Sequence, residues 1–170
     1  MMTMMDEQVG EILALLKELK IDDNTLVMLT SDNGPHKEGG HMPDFFDSNG
    51  PLRGHKRDLT EGGIRAPLIA RWPGKISAGT TTALVSAHWD LLPTVCELAK
   101  ASTPNNVDGI SYVPTLLGKI SEQTPHQYLY WEFTERGGKQ AVRMGKWKGV
   151  REELFKNSNA PLQLYDLSKD

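Results

Sequence analysis

The chain has 170 residues, of which 38% are hydrophobic, enough to form a core in a single domain or part of a larger one and too many for a disordered or fibrous chain. A net charge of -3 gives no global attraction to nucleic acid or to an anionic membrane, so anions must be met by locally placed basic residues. The single cysteine, Cys96, rules out an internal disulfide framework and a cysteine-rich zinc site.

The N-terminal stretch MMTMMDEQVGEILALLKELK lacks a basic leader, and charges interrupt its apolar positions, which fits neither a signal peptide nor a membrane span. Val9, Ile12, Leu13, Leu16 and Leu19 fall at helical spacing and predict one apolar stripe, with Asp6 as the cap near its start. After the polar break IDDN, the run TLVML predicts a strand buried on both faces, and APLIARW, closed by Pro73-Gly74, predicts a second. Between them lies a long polar segment rich in glycine and proline, of the kind that usually bears function or is disordered.

HWDLLPTVCELAKAS reads as a helix, with Asp90 as its cap, Pro93 in its first turn, and Leu91, Leu92, Val95, Leu98 and Ala99 facing inward. Cys96 falls on that helix as a core residue. DGISYVPTLLG then reads as a loop with a short turn of structure. QYLYWEF, KQAVRMGKWKGVRE and LQLYDL are aromatic or alternating runs that predict antiparallel strands. The expected fold class is α/β, to about residue 102, followed by a small α+β part over residues 103–170 with an antiparallel sheet.

TSDNG places Asp32 and Asn33 at the carboxyl end of the first strand, where open α/β sheets put their ligand sites. A carboxylate beside an amide carbonyl suits Ca²⁺ or Mg²⁺, which prefer oxygen ligands, and Gly34 lets the chain turn away. Asn-Gly is also the strongest short hairpin signal, but no alternating strand follows at once. In GPLRGHKRDLTEGG, Arg53, His55, Lys56 and Arg57 form a basic loop suited to a sulfate or phosphate; the alternative is a solvated loop neutralised by Asp58 and Glu61. His36 and His41 flank the Asp32–Asn33 loop, as contacts to a sugar substituent or as exposed loop histidines. The four tryptophans read as core or interface residues, although each could stack on a sugar ring.

The pattern from TLVMLTSDNG through SNGPLRGHKRDLTEGGIRAPLIARWPGKI resembles the C-terminal half of the type I, formylglycine-dependent sulfatases of the alkaline phosphatase superfamily, including arylsulfatases and N-acetylgalactosamine-6-sulfatase-like enzymes. The preceding helix and the segments DLLPTV, DGISYVPTLLG, AVRMGKWKGV and LQLYDL extend the similarity over essentially the whole chain. The resemblance implies an alkaline phosphatase-like sheet, calcium bound by Asp32 and Asn33, and sulfate contacted by Lys56. It implies a hydrated formylglycine that attacks sulfur, with a histidine protonating the leaving alcohol. Glu61 and Arg65 match its EGGxRxP segment as loop-holding charges. Expected substrates are a sulfated carbohydrate or an aryl sulfate ester, and the expected compartment is periplasmic or secreted.

The formylglycine motif, Cys or Ser followed by x-Pro-Ser-Arg, is absent from these residues, so the chain reads as a C-terminal portion, inactive alone and prone to self-association through uncovered apolar surface. Two further readings remain: a related phosphoryl or phosphonate hydrolase, and a non-catalytic calcium- or glycan-binding module derived from a sulfatase.

Overall fold

The computed structural model describes residues 2–169. The first helix, α1 (Met2–Glu18), half-buries Val9, Leu13 and Leu16 but leaves Ile12 exposed, and Leu19 falls exposed in the turn after it, so only part of the expected stripe is covered. Asp6 lies inside this helix rather than at its cap. A 3-10 turn (Asp22–Asn24) leads into β1 (Val27–Thr30), which pairs with β2 (Leu68–Arg71) in a two-stranded sheet. Both strands occur where the apolar runs place them. Burial of β1 on both faces does not occur: Val27 and Met28 are half-buried, Leu29 and Thr30 are exposed, and one neighbouring strand cannot cover an inner-sheet surface. Arg71 grips the Asp22 carboxylate with two bonds of 2.6 and 2.8 Å, and Trp72 Nε1 donates to the Asp23 carbonyl at 3.0 Å.

Two short helices, α2 (Pro43–Phe46) and α3 (Glu61–Ile64), fall within the segment between those strands. Beyond β2, a 3-10 turn (His88–Asp90) runs into α4 (Leu91–Ala99), which packs differently from its apolar pattern. Leu91, Leu92, Val95 and Ala99 are exposed, Cys96 and Leu98 are half-buried, and the buried positions are Pro93 and Thr94. The polar groups inside are satisfied. Asp90, only 1% exposed, accepts from the amides of Ala87 and Ile110, both at 2.8 Å, instead of capping α4 with its side chain. Thr94 donates to the Asp90 carbonyl at 2.7 Å and accepts from the Tyr112 amide at 3.1 Å, fastening the DGISYVP stretch to the helix. This stretch ends in α5 (Val113–Leu116), with a 3-10 turn at Ile120–Glu122 after it.

The C-terminal sheet has the order β3 (Leu129–Phe133), β4 (Lys139–Met144), β5 (Trp147–Arg151) and β6 (Gln163–Asp166), antiparallel throughout. Trp131, Ala141 and Val150 lie in register across three strands and meet Leu59, with Ile64, Phe133 and Tyr165 at the edge of this core. Of the four tryptophans, Trp131 packs here, whereas Trp147 is 45% exposed beneath the Lys146 ammonium.

Contacts group the chain into two compact units that are interleaved in sequence. One joins the residues up to Leu29 with Leu68–Thr124; the other joins Thr30–Pro67 with the chain from Pro125 onward. The grouping follows contacts between distant residues, whereas the expected division at residue 102 followed composition along the chain. Every candidate site residue belongs to the second unit. Among the described residues, no helix is long and apolar enough to cross a membrane.

Candidate active-site loops

Three backbone segments interlock without side chains between them. The Gly34 amide donates to the Gly63 carbonyl at 2.9 Å, the Lys56 amide to the Pro35 carbonyl at 2.8 Å, and the Gly62 amide to the Arg53 carbonyl at 2.7 Å. A Cβ on Gly34 would stand 1.8 Å from the Gly62 carbonyl oxygen, and one on Gly62 would stand 2.3 Å from that of Gly54. Glycine is required here by close approach of backbone to backbone. The SDNGP segment is thereby held against the GHK loop.

Glu61 anchors this assembly from below. Its carboxylate, in a residue 8% exposed, receives Lys148 Nζ at 2.8 Å on one oxygen and Arg143 at 3.3 Å on the other, with the more exposed Arg65 at 3.9 Å. Lys148 itself is 1% exposed and lies 5.3 Å from the Trp131 ring. Its pKa is lowered because burial outweighs the attraction of Glu61. Removing one member of such a pair leaves an uncompensated buried charge, so the arrangement fixes α3 in place more than it adds net stability. Glu61 and Arg65 have the loop-holding geometry that their motif implies, but the principal partners, Arg143 and Lys148, come from the distant sheet.

Asp32 is exposed and makes no hydrogen bond or ion pair with another described residue. Asn33 is half-buried; its Nδ2 donates to the Gly34 carbonyl at 2.8 Å, and its own carbonyl accepts from Ser31 Oγ at 2.9 Å. The side-chain donors left to a cation are oxygens, as calcium requires, but two residues supply only part of a shell of ~6–8 ligands. No cluster of three or more His, Cys, Asp or Glu able to hold a metal occurs among the described residues. The donor chemistry therefore fits a hard cation, and the donor number is incomplete.

The basic loop is partly neutralised, by a different acid from those expected. Glu38 pairs with Arg57 and lies 3.8 Å from Lys56 Nζ; the Arg57 hydrogen bond holds its carboxyl below the ordinary 4.5. Asp58 bonds Lys139 at 2.8 Å and the His55 amide at 3.0 Å, while Arg53 turns toward the Tyr165 ring, 5.7 Å away. Lys56, Arg57, His55 and Arg136 border a cavity of about 250 Å³. Asp32, Asn33, His36 and His41 do not line it. His36 Nδ1 accepts from the Glu38 amide at 3.1 Å, and its ring lies 5.3 Å from that of His41, which stacks on Phe46. Sequence reading missed Glu38, Arg136, Arg143 and Lys148. Only the Lys-Glu pair in HKEGG carried a local hint of opposite charge.

Residues 1–101 match the family model described as Sulfatase, and residues 54–170 match that described as N-sulphoglucosamine sulphohydrolase, C-terminal. Steryl-sulfatase of Rattus norvegicus is 42% identical, over 74% of this chain and 22% of its own length. Arylsulfatase A of Homo sapiens is 36% identical, over 98% of this chain and 36% of its own. A solved structure of a protein in complex with its substrate D-glucosamine-2-N,6-O-disulfate superposes with a TM-score of 0.75 at 26% identity, covering 97% of this chain and 32% of that one. The chain thus spans between 22% and 36% of the length of these three proteins. With family models matched along its length and a shared architecture, the chain belongs to the sulfatase family.

Proposed function

We propose that this chain serves sulfuric ester hydrolysis, with Lys56 contacting the sulfate group and Asp32 and Asn33 giving oxygen ligands to Ca²⁺, or to Mg²⁺ as the alternative. The observation that carries this reading is the 2.8 Å bond from the Lys56 amide to the Pro35 carbonyl, which ties the lysine loop to the chain two residues beyond Asn33. A bound cation would supply positive charge for an oxyanion. The Lys56 ammonium, a third exposed and weakly engaged by Glu38 at 3.8 Å, is free to exchange that partner for a more highly charged sulfate oxygen. The substrate class is a sulfated carbohydrate or an aryl sulfate ester, in keeping with the relatives named above.

The alternative reading is a calcium- or glycan-binding module without catalysis. Assaying the purified chain on a chromogenic aryl sulfate with added calcium, beside calorimetric titration with calcium and a sulfated sugar, separates the two. The hydrolase reading predicts no release by the chain alone and only weak calcium binding. Enzyme-proportional release would overturn the assignment of the nucleophile outside this chain, and tight binding of both ligands would favour the module.

A further inference from the structure

The cavity beside Lys56 holds more positive charge than one sulfate needs. Four cationic side chains border it, Lys37, Lys56, Arg57 and Arg136, against two carboxylates, Glu38 and Asp58. Both carboxylates are already engaged, Glu38 by Arg57 and Lys56, and Asp58 by Lys139. Lys37 is drawn toward Asp44 at 3.8 Å. Arg136 alone among these cations has no carboxylate partner among the described residues, and it is exposed to an incoming ligand.

Arg136 is also held in place. It occupies the β3–β4 turn with a left-handed φ of 51°, a conformation that costs a non-glycine residue energy and that clusters at binding sites. The turn is clamped from the far side: the Phe155 amide donates to Gly137 O at 2.9 Å and the Leu154 amide to Gly138 O at 3.2 Å. Gly138 also packs against the Phe155 ring, 3.0 Å from where a Cβ would stand. A planar guanidinium on a fixed turn suits bidentate recognition of a carboxylate or a sulfate, which a lysine cannot reproduce.

We propose that Arg136 forms a second anion subsite, so that the substrate carries a further carboxylate or sulfate besides the sulfate ester held at Lys56. This rests on the Lys56 reading above. The cavity lies just below the ~300–1,000 Å³ of pockets that enclose a drug-sized ligand, so it suits one sugar ring with its substituents rather than a long oligosaccharide. The ligand is a glycan unit with two anionic groups.

The test is calorimetric binding of the full chain to three probes: a monosulfated glucosamine, the same sugar with two sulfates, and a monosulfated disaccharide carrying a uronate. The wild type should bind at least one dianionic probe roughly tenfold tighter than the monosulfated sugar, the equivalent of one charge-assisted contact. Arg136→Ala should erase that preference while leaving affinity for the monosulfated sugar within a factor of about two and the melting temperature unchanged, since the side chain is exposed. Arg136→Lys should restore only part of the preference. Which dianionic probe gains identifies the second group. A wild type without preference, or a preference that survives Arg136→Ala, overturns the subsite. Lys56→Ala reports separately: it should weaken all three probes, and if it weakens none while Arg136→Ala still abolishes the preference, the sulfate role of Lys56 fails and the arginine subsite stands.

Discussion

Asp58 sits between opposing influences, and their balance makes the loop sensitive to acid. Burial tends to raise its carboxyl pKa, but the hydrogen bonds from Lys139 and the His55 amide more than offset this and hold it below the ordinary 3.8. A carboxyl depressed by folding contributes stability that is whole above its unfolded pKa and is lost as pH falls through the folded one. Acid unfolding followed by circular dichroism from about pH 5 to about pH 2 should therefore steepen in the wild type relative to Asp58→Asn. Parallel curves would remove Asp58 from the account. The Glu61–Lys148 pair shows why such residues escape sequence reading. Its members stand 87 positions apart, and nothing in KWKG says that the second lysine faces inward.

At the level of elements, the loops are organised by glycines that have no room for a side chain. Gly34→Ala would drive a methyl group into the Gly62 carbonyl, an obstruction of backbone by backbone that no rotamer relieves. The expected cost is about 3 kcal/mol, read as a lower denaturant midpoint; a midpoint equal to wild type would mean that the loops are not interlocked. The strands were legible because alternation and turn residues coincide: β4 and β5 flank Gly145, whose φ of 57° suits the turn. The burial pattern of α4 was not legible, because Asp90 and Thr94 enter the interior through bonds to Ile110 and Tyr112, distant backbone partners that periodicity cannot supply. The reading of Asp32 and Asn33 followed from their place after β1. The two histidines pack with each other and His41 stacks on Phe46, a grouping that no spacing rule indicated.

Across the whole molecule, apolar side chains remain open to solvent in number: Met2 and Ile12 on α1, Leu19 just after it, Ile69 on β2, and Met144 and Leu164 on the C-terminal sheet. Surface of this kind on isolated chains promotes association. Sedimentation should show an average mass rising with concentration, and a monomer of constant mass would contradict this. The family was legible in SDNG and GHK together with the later landmarks, whereas Arg136 was not, since its turn reaches the cavity only through folding of a segment 80 residues from Lys56. The central claim is that Asp32, Asn33 and Lys56 serve one oxyanion. Nuclear magnetic resonance titration of the chain with calcium in the presence of sulfate tests it most directly. The amides of Gly34 and Lys56 should shift together with one dissociation constant, about millimolar for so incomplete a shell, and Asp32→Ala should abolish both shifts. Movement of one loop alone, or of both with unrelated constants, would contradict it.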